Sequence, residues 1–134
     1  MPSTSASSAP CGTRKPGSNP FGPYAPNNRY NQWFAKGYEA KFKSPANYVS
    51  YQMAQAILGV KLAWEKAMEK NGGKRPSNEE VGAALENMTF EGPGGTVKMA
   101  LGKGHQAVME TAYGQTKLVN GKLTLVNVKR YPAE

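Results

Sequence analysis

The stretch that decides the fold is residues 28–68, NRYNQWFAKGYEAKFKSPANYVSYQMAQAILGVKLAWEKAM. Its apolar residues recur at helical spacing, which predicts α-helix on both sides of a single interruption. That interruption is Ser44-Pro45, because the residue before a proline is driven out of the helical region. We therefore predict two helices, one ending at Lys43 and one beginning near Tyr48.

The two predicted helices distribute their apolar side chains differently. The first carries one aromatic stripe, which comprises Tyr30, Trp33, Phe34, Gly37, Tyr38 and Phe42. The second is apolar almost all round, through Tyr51, Ala54, Ile57, Leu58, Leu62, Trp64 and Met68. A helix of that kind is normally surrounded by other elements, and little else in 134 residues can surround it. The pattern therefore indicates a piece of a larger fold.

The rest of the chain predicts a third helix and a short antiparallel region. Ser77 and Glu80 have the spacing of a capping box, which opens the third helix. The hydrophobic period then changes from helical to alternating, which predicts strands over residues 97–99, over 108–119 with an interruption at Gly114, and from Leu123 towards Tyr131. Asn120-Gly121 predicts a two-residue hairpin between the last two of them.

Two regions divide the chain by composition. Residues 1–19 are rich in Ser, Pro and Gly, and such a segment cannot offset the entropy of ordering. We predict that they are disordered and form an aberrant start, and that residues 20–134 form the folded portion. No segment reaches the roughly 18 apolar residues of a membrane-spanning helix, so we predict no direct membrane insertion.

The net charge of +8 raises the hypothesis of nucleic-acid binding. Residues 29–75 hold nine basic side chains against three glutamates, and the excess collects between Lys61 and Arg75. Cations there complement the partial negative charge at a helix C-terminus, and the aromatic residues lie on another face. We therefore favour a solvated helix face and no nucleic acid, with a small basic protein binding nucleic acid or an acidic partner as the alternative.

The residues of catalysis and metal binding are scarce. The chain has one histidine, one cysteine and no aspartate, whereas a zinc site needs three or four ligands. Glu79 and Glu80 are adjacent on a predicted helix and point about 100° apart, which suits a negatively charged first turn better than paired acid–base work. We predict no enzyme activity, no cofactor and no metal.

The order of these elements carries a family resemblance. The segments FKSPANYVSYQMAQAILGVKLAWEKA, SNEEVGAALENMTFEGPGGTVKM, GHQAVMETAYGQT and VKRYP follow one another as in the last third of ABC-transporter substrate-binding proteins. Residues 20–132 resemble the leucine/isoleucine/valine-binding type of periplasmic binding protein. The resemblance implies an α/β chain that is the C-terminal fragment of a two-lobed fold, with three helices followed by a short antiparallel strand region.

The resemblance also implies a function and a site. Family members bind an amino acid or a related small polar molecule in the cleft between two lobes and deliver it to a membrane permease, and full-length relatives are periplasmic. Residues 43–51 would be a crossover beside that cleft, with the first helix in one lobe and the long helix in the other. We predict Tyr48 and Tyr51 as ligand-binding residues, with a core position for Tyr51 as an equal alternative. The fragment itself carries no signal peptide, which leaves its own location undetermined, and we expect it to be unable to bind alone.

Overall fold

The computed structural model describes residues 16–18, 24–99 and 106–132. The elements in these ranges are β1 (Pro16–Ser18), α1 (Arg29–Phe42), α2 (Tyr48–Lys70), α3 (Asn78–Leu85), β2 (Thr89–Gly92), β3 (Gly95–Met99), β4 (Ala107–Met109), β5 (Thr111–Val119) and β6 (Lys122–Tyr131). The predicted class, three helices followed by short antiparallel strands, is confirmed. The chain's one cysteine, Cys11, and its one histidine, His105, lie outside the described residues.

Each of the three helices begins at a residue whose side chain caps the first turn. Asn28 and Asn47 accept hydrogen bonds from backbone N–H groups in the first turns of α1 and α2. Ser77 and Glu80 form the predicted capping box at α3, each accepting from the backbone of the other. These caps satisfy N–H groups that have no partner within a helix, so the helix starts follow from local chemistry.

The helices α1 and α2 pack directly on each other. The Tyr51 ring meets the Phe34 ring edge-on, with centroids 4.9 Å apart, and the Tyr51 hydroxyl donates to Asn31 Oδ1 at 2.8 Å. Residues 43–47 therefore form the turn of a helical hairpin. The assignment of the two helices to different lobes stays a prediction.

One face of α2 forms the core, and its C-terminal part is built from small residues. Its buried positions recur every four residues and are Tyr51, Gln55, Gly59, Ala63 and Ala67. Ala63 and Ala67 pack with Val81 of α3 and with Met88 in the main apolar cluster. Small side chains let α3 and the strand β2 approach α2 closely, so the helix places its larger apolar residues elsewhere.

The strands form two three-stranded sheets with orders β1-β5-β6 and β2-β3-β4, and every pairing is antiparallel. Strands β5 and β6 meet at the predicted hairpin, where Asn120 and Gly121 both have positive φ. The predicted strand over residues 108–119 is divided in the structure, because Glu110 separates β4 from β5. Strand β2 was not predicted, because its four residues are too few to show a clear alternation in the sequence.

Within residues 1–19 the structure describes Pro16–Ser18, which pair with β5; the predicted division of the chain at residue 19 stays a prediction. Gly37 lies in the middle of α1. A glycine inside a helix often marks a close approach, but a Cβ at Gly37 would meet nothing within 4 Å.

A polar cluster joins the two sheets. Arg130 on β6 forms an ion pair with Glu110, with 2.9 Å between Arg130 Nη2 and Glu110 Oε1. The geometry at Nη2 is not that of a hydrogen bond. Arg130 Nη1 donates a hydrogen bond to the backbone carbonyl of Tyr24. The Tyr24 hydroxyl in turn accepts from the backbone N–H of Leu125. The segment before α1 is therefore fixed to the closing strand.

Candidate ligand-binding site

The two predicted ligand residues lie on different surfaces. Tyr51 is 1% exposed and its hydroxyl is engaged by Asn31, so the core position described above is the one it occupies. Tyr48 is 61% exposed at the first turn of α2. The structure therefore does not bring the two phenols together, and Tyr48 is the member of the pair that a ligand can reach.

Two side-chain amides hold the glycine-rich turn between β2 and β3 against the helices. Gln55 Oε1 accepts from the backbone N–H of Gly94 at 2.8 Å, and Asn28 Nδ2 donates to the carbonyl of Gly92 at 3.0 Å. Pro93 between them is fully buried. A Cβ on Gly92 would lie 2.8 Å from Gln55 Cγ, so the absence of a side chain lets the turn reach the helix.

A cavity of about 430 Å³ lies between α2 and the sheet β2-β3-β4. We call it the helix–sheet cavity. Its walls are apolar except for two glutamines; they are Gln52, Gln55, Ala56, Gly59, Val60, Leu85, Phe90, Val97, Met99, Ala107 and Met109. The volume falls within the range of small-ligand sites. Tyr48 lies one turn before Gln52 on the same face of α2, so the exposed phenol continues the line of the cavity wall.

Sequence reasoning missed the helix–sheet cavity. The glycine-rich sequence of residues 92–95 indicates only a turn, and the hydrogen bond between Gln55 and Gly94 spans 39 positions in the chain. A buried glutamine within an apolar helix face is the one local signal for it, since a buried polar side chain needs a partner.

A second groove follows the other side of α2, with a volume of about 740 Å³. Trp33 and Phe34 of α1 and Ile57 and Leu58 of α2 line it, and Arg29 and Lys61 are its charged residues. Trp33 is 72% exposed and Ile57 is 63% exposed. Aromatic and aliphatic side chains of this size are seldom left in water together, so this face is suited to contact with further protein.

Glu79 and Glu80 lie in the first turn of α3, where their carboxylates stabilise the helix. The pKa of Glu80 is lowered by the hydrogen bond from the Ser77 backbone and then by Asn71, and that of Glu79 by a backbone N–H and then by Ser77. Both carboxylates therefore stay ionised at neutral pH, as a helix N-terminus favours. Within residues 24–99 and 106–132, no three His, Cys, Asp or Glu side chains approach closely enough to hold a metal ion.

The basic end of α2 is a mixed surface. Lys61 pairs with Glu65 at 2.6 Å, and the Arg75 guanidinium lies over the Trp64 ring at 6.0 Å. The cations are thus interleaved with an acid and an aromatic face rather than arranged as a continuous track for phosphates. None of the helices in the described part of the chain is long and apolar enough to cross a membrane.

Comparison with known proteins identifies the class. A family model described as periplasmic binding protein matches residues 16–122. The chain therefore belongs to the periplasmic binding protein family, as its resemblance implied. No curated protein matched in the corresponding sequence comparison.

Solved structures share the fold. The chain is similar to an ABC-type branched-chain amino acid transporter from Rhodopseudomonas palustris CGA009, with 22% identity and a TM-score of 0.72. It is also similar to a solute-binding protein of an ABC transporter from R. palustris BisB5 in complex with 3,4-dihydroxybenzoic acid, with 19% identity and a TM-score of 0.67. In both comparisons 90% of this chain is covered but only 31% of the solved chain. The chain thus spans less than a third of the length of those proteins.

Proposed function

We propose that the chain supplies the C-terminal part of a solute receptor for ABC-transporter uptake, with no catalytic step. The observation that carries the proposal is the match of 90% of the chain to 31% of larger solute-binding structures. A receptor of this kind binds a small molecule and presents it to a membrane permease, so these are the two partners that we propose. The periplasm is the corresponding location.

The exposed apolar face of α2 supports the same proposal. Val49, Met53, Ile57 and Val60 are each at least half exposed, although burying an aliphatic side chain is worth about 1.5–3 kcal/mol. The remaining two-thirds of a receptor fold would cover this face. We therefore propose that the functional state contains that further α/β portion, whether or not it belongs to the same polypeptide.

The family and the structural neighbours support a proposal for the ligand class. We propose an amino acid or a related small polar molecule, and the neighbours add aromatic acids, since one was solved with 3,4-dihydroxybenzoic acid and another from R. palustris with benzoate. Tyr48 is the ligand contact that we propose within this chain, with an apolar ring and a free hydroxyl edge. Tyr51 would position α2 beneath it.

A chimera tests the proposal. Residues 16–132 would replace the matching C-terminal part of the R. palustris CGA009 protein, and calorimetry would follow titration with leucine, valine and benzoate. We expect saturable binding of at least one of them by the folded, monomeric chimera. Because amino-acid recognition needs buried partners for two charges, the same titrations of the isolated chain should give no saturable heat.

Tyr48→Ala in that chimera should weaken binding without changing its thermal unfolding. Tyr30→Ala, a change of the same size on α1, is the matched control and should leave affinity unchanged. A folded chimera that binds none of the three compounds would contradict the proposed function. Equal affinity of the Tyr48→Ala protein and its parent would remove Tyr48 from the site.

A further inference from the structure

The orientation of the Gln55 amide points to a ligand in the helix–sheet cavity. Its Oε1 is engaged by the Gly94 N–H, which leaves the Nε2 group as the end of the side chain that is free to face the cavity. The acceptor that Nε2 finds among the described residues is Met109 Sδ at 3.9 Å. A thioether is a weak acceptor, and Gln55 is only 4% exposed. A buried donor is therefore poorly satisfied at the wall of an apolar cavity.

The walls define what such a ligand can be. None of the described residues lining the cavity carries a charge, and an unpaired charge buried there would lose several kcal/mol of solvation. Two methionine sulfurs, Met99 and Met109, and the Phe90 ring offer polarisable contacts that suit a flat aromatic molecule. The cavity volume of about 430 Å³ accommodates a single ring with a short substituent.

We infer that the helix–sheet cavity binds an uncharged, single-ring molecule whose carbonyl oxygen accepts a hydrogen bond from Gln55 Nε2. The inference goes beyond the proposed function, because it assigns this cavity a ligand separate from the amino acid or aromatic acid proposed for the receptor. The ligand inferred here is uncharged, unlike an amino acid or benzoate, because the described residues that line the cavity carry no charge. Its test uses the chain alone, so it can fail while the chimera binds, and the reverse.

The test compares acetophenone with benzoate, which have the same ring and an acceptor oxygen but differ in charge. Methionine methyl groups labelled with carbon-13 would report binding by NMR, in the chain carrying Ile57→Glu to limit self-association. We expect acetophenone to shift the Met99 and Met109 methyls saturably and to bind at least about tenfold more tightly than benzoate. A tenfold difference in affinity corresponds to about 1.4 kcal/mol. Met68, near the C-terminal end of α2 and outside the cavity lining, should not move.

Two variants assign the binding to this cavity. Ala56→Leu fills its rim from an exposed helix position and should abolish the saturable shifts, whereas Ala40→Leu, the same change on exposed α1, should preserve them. Gln55→Glu keeps an acceptor for the Gly94 N–H but removes the donor, and should weaken acetophenone binding at least about tenfold. Shifts that reach Met68 equally, equal affinity for benzoate, no shift at all, or retention of binding in Ala56→Leu would each overturn the inference.

Discussion

Tyr51 is the residue at which the helical hairpin is fastened. Its ring packs on Phe34 and its hydroxyl donates to Asn31, while Tyr48, three positions earlier, faces solvent. Spacing alone cannot separate the two, because both tyrosines fit the first turn of an apolar helix. The structure separates them through a contact 20 positions away in the chain.

Tyr51→Phe should therefore lower the free energy of unfolding by about 0.5–1.5 kcal/mol, since Asn31 Oδ1 loses its donor. Tyr48→Phe, the same change on an exposed ring, should alter it by less than about 0.5 kcal/mol. Urea denaturation followed by circular dichroism measures both. Equal effects of the two substitutions would contradict the buried position of Tyr51.

Two glycines respond to one substitution in opposite directions. Gly37→Ala should stabilise the chain by about 0.5–1 kcal/mol, because the helix is exposed there and nothing lies within 4 Å of the new methyl. Gly95→Ala should destabilise it, since Gly95 has a φ of +119° and a Cβ would lie 1.7 Å from Glu110 Oε1. The urea midpoints of the two variants provide the comparison. A destabilising Gly37→Ala would show that α1 is packed in solution.

At the scale of elements, whatever is encoded locally was predictable. The capping box of Ser77 and the hairpin of Asn120-Gly121 each lie within a few residues, and both were confirmed. The helix–sheet cavity was not predictable, because it needs the sheet β2-β3-β4 to pack against α2. The hydrogen bond that fixes the β2–β3 turn to α2, from Gly94 to Gln55, spans 39 positions in the chain, and Gln55 alone does not identify its partner.

The element α3 should weaken in acid. The folded-state pKa of Glu80 lies below its ordinary value of 4.5 because the Ser77 backbone donates to it. A lowered pKa means that the stabilisation is complete above the unfolded-state value and is lost as the pH falls through the folded-state value. We expect amide exchange protection of Val81 to fall over that range, below about pH 4.5.

Glu80→Gln is the matched variant for this pH dependence, since an uncharged side chain that can still accept a hydrogen bond does not titrate. Protection in that variant should change less with pH than in the parent chain. Equal pH dependence in both would place the titrating group elsewhere. Ser77→Ala should cost about 1 kcal/mol at neutral pH because it removes the cap itself.

At the scale of the whole molecule, the buried core is small for the apolar surface that the chain carries. Three of the seven buried apolar residues in the described ranges are alanines. The larger side chains Trp33, Met53, Ile57, Leu118 and Leu123 are all more than half exposed. The sequence predicted this imbalance from the all-round apolar pattern of α2, since an amphipathic helix would have needed one face only.

The central claim is that the exposed face of α2 belongs against a further portion of a receptor. Sedimentation velocity across a concentration series tests it most directly on the isolated chain. The account predicts that the wild-type chain self-associates as its concentration rises and that Ile57→Glu makes it more monomeric. Lys66→Gln, an equal change of charge on the same helix, should leave association as it is. A wild-type chain that stays monomeric throughout would contradict the claim.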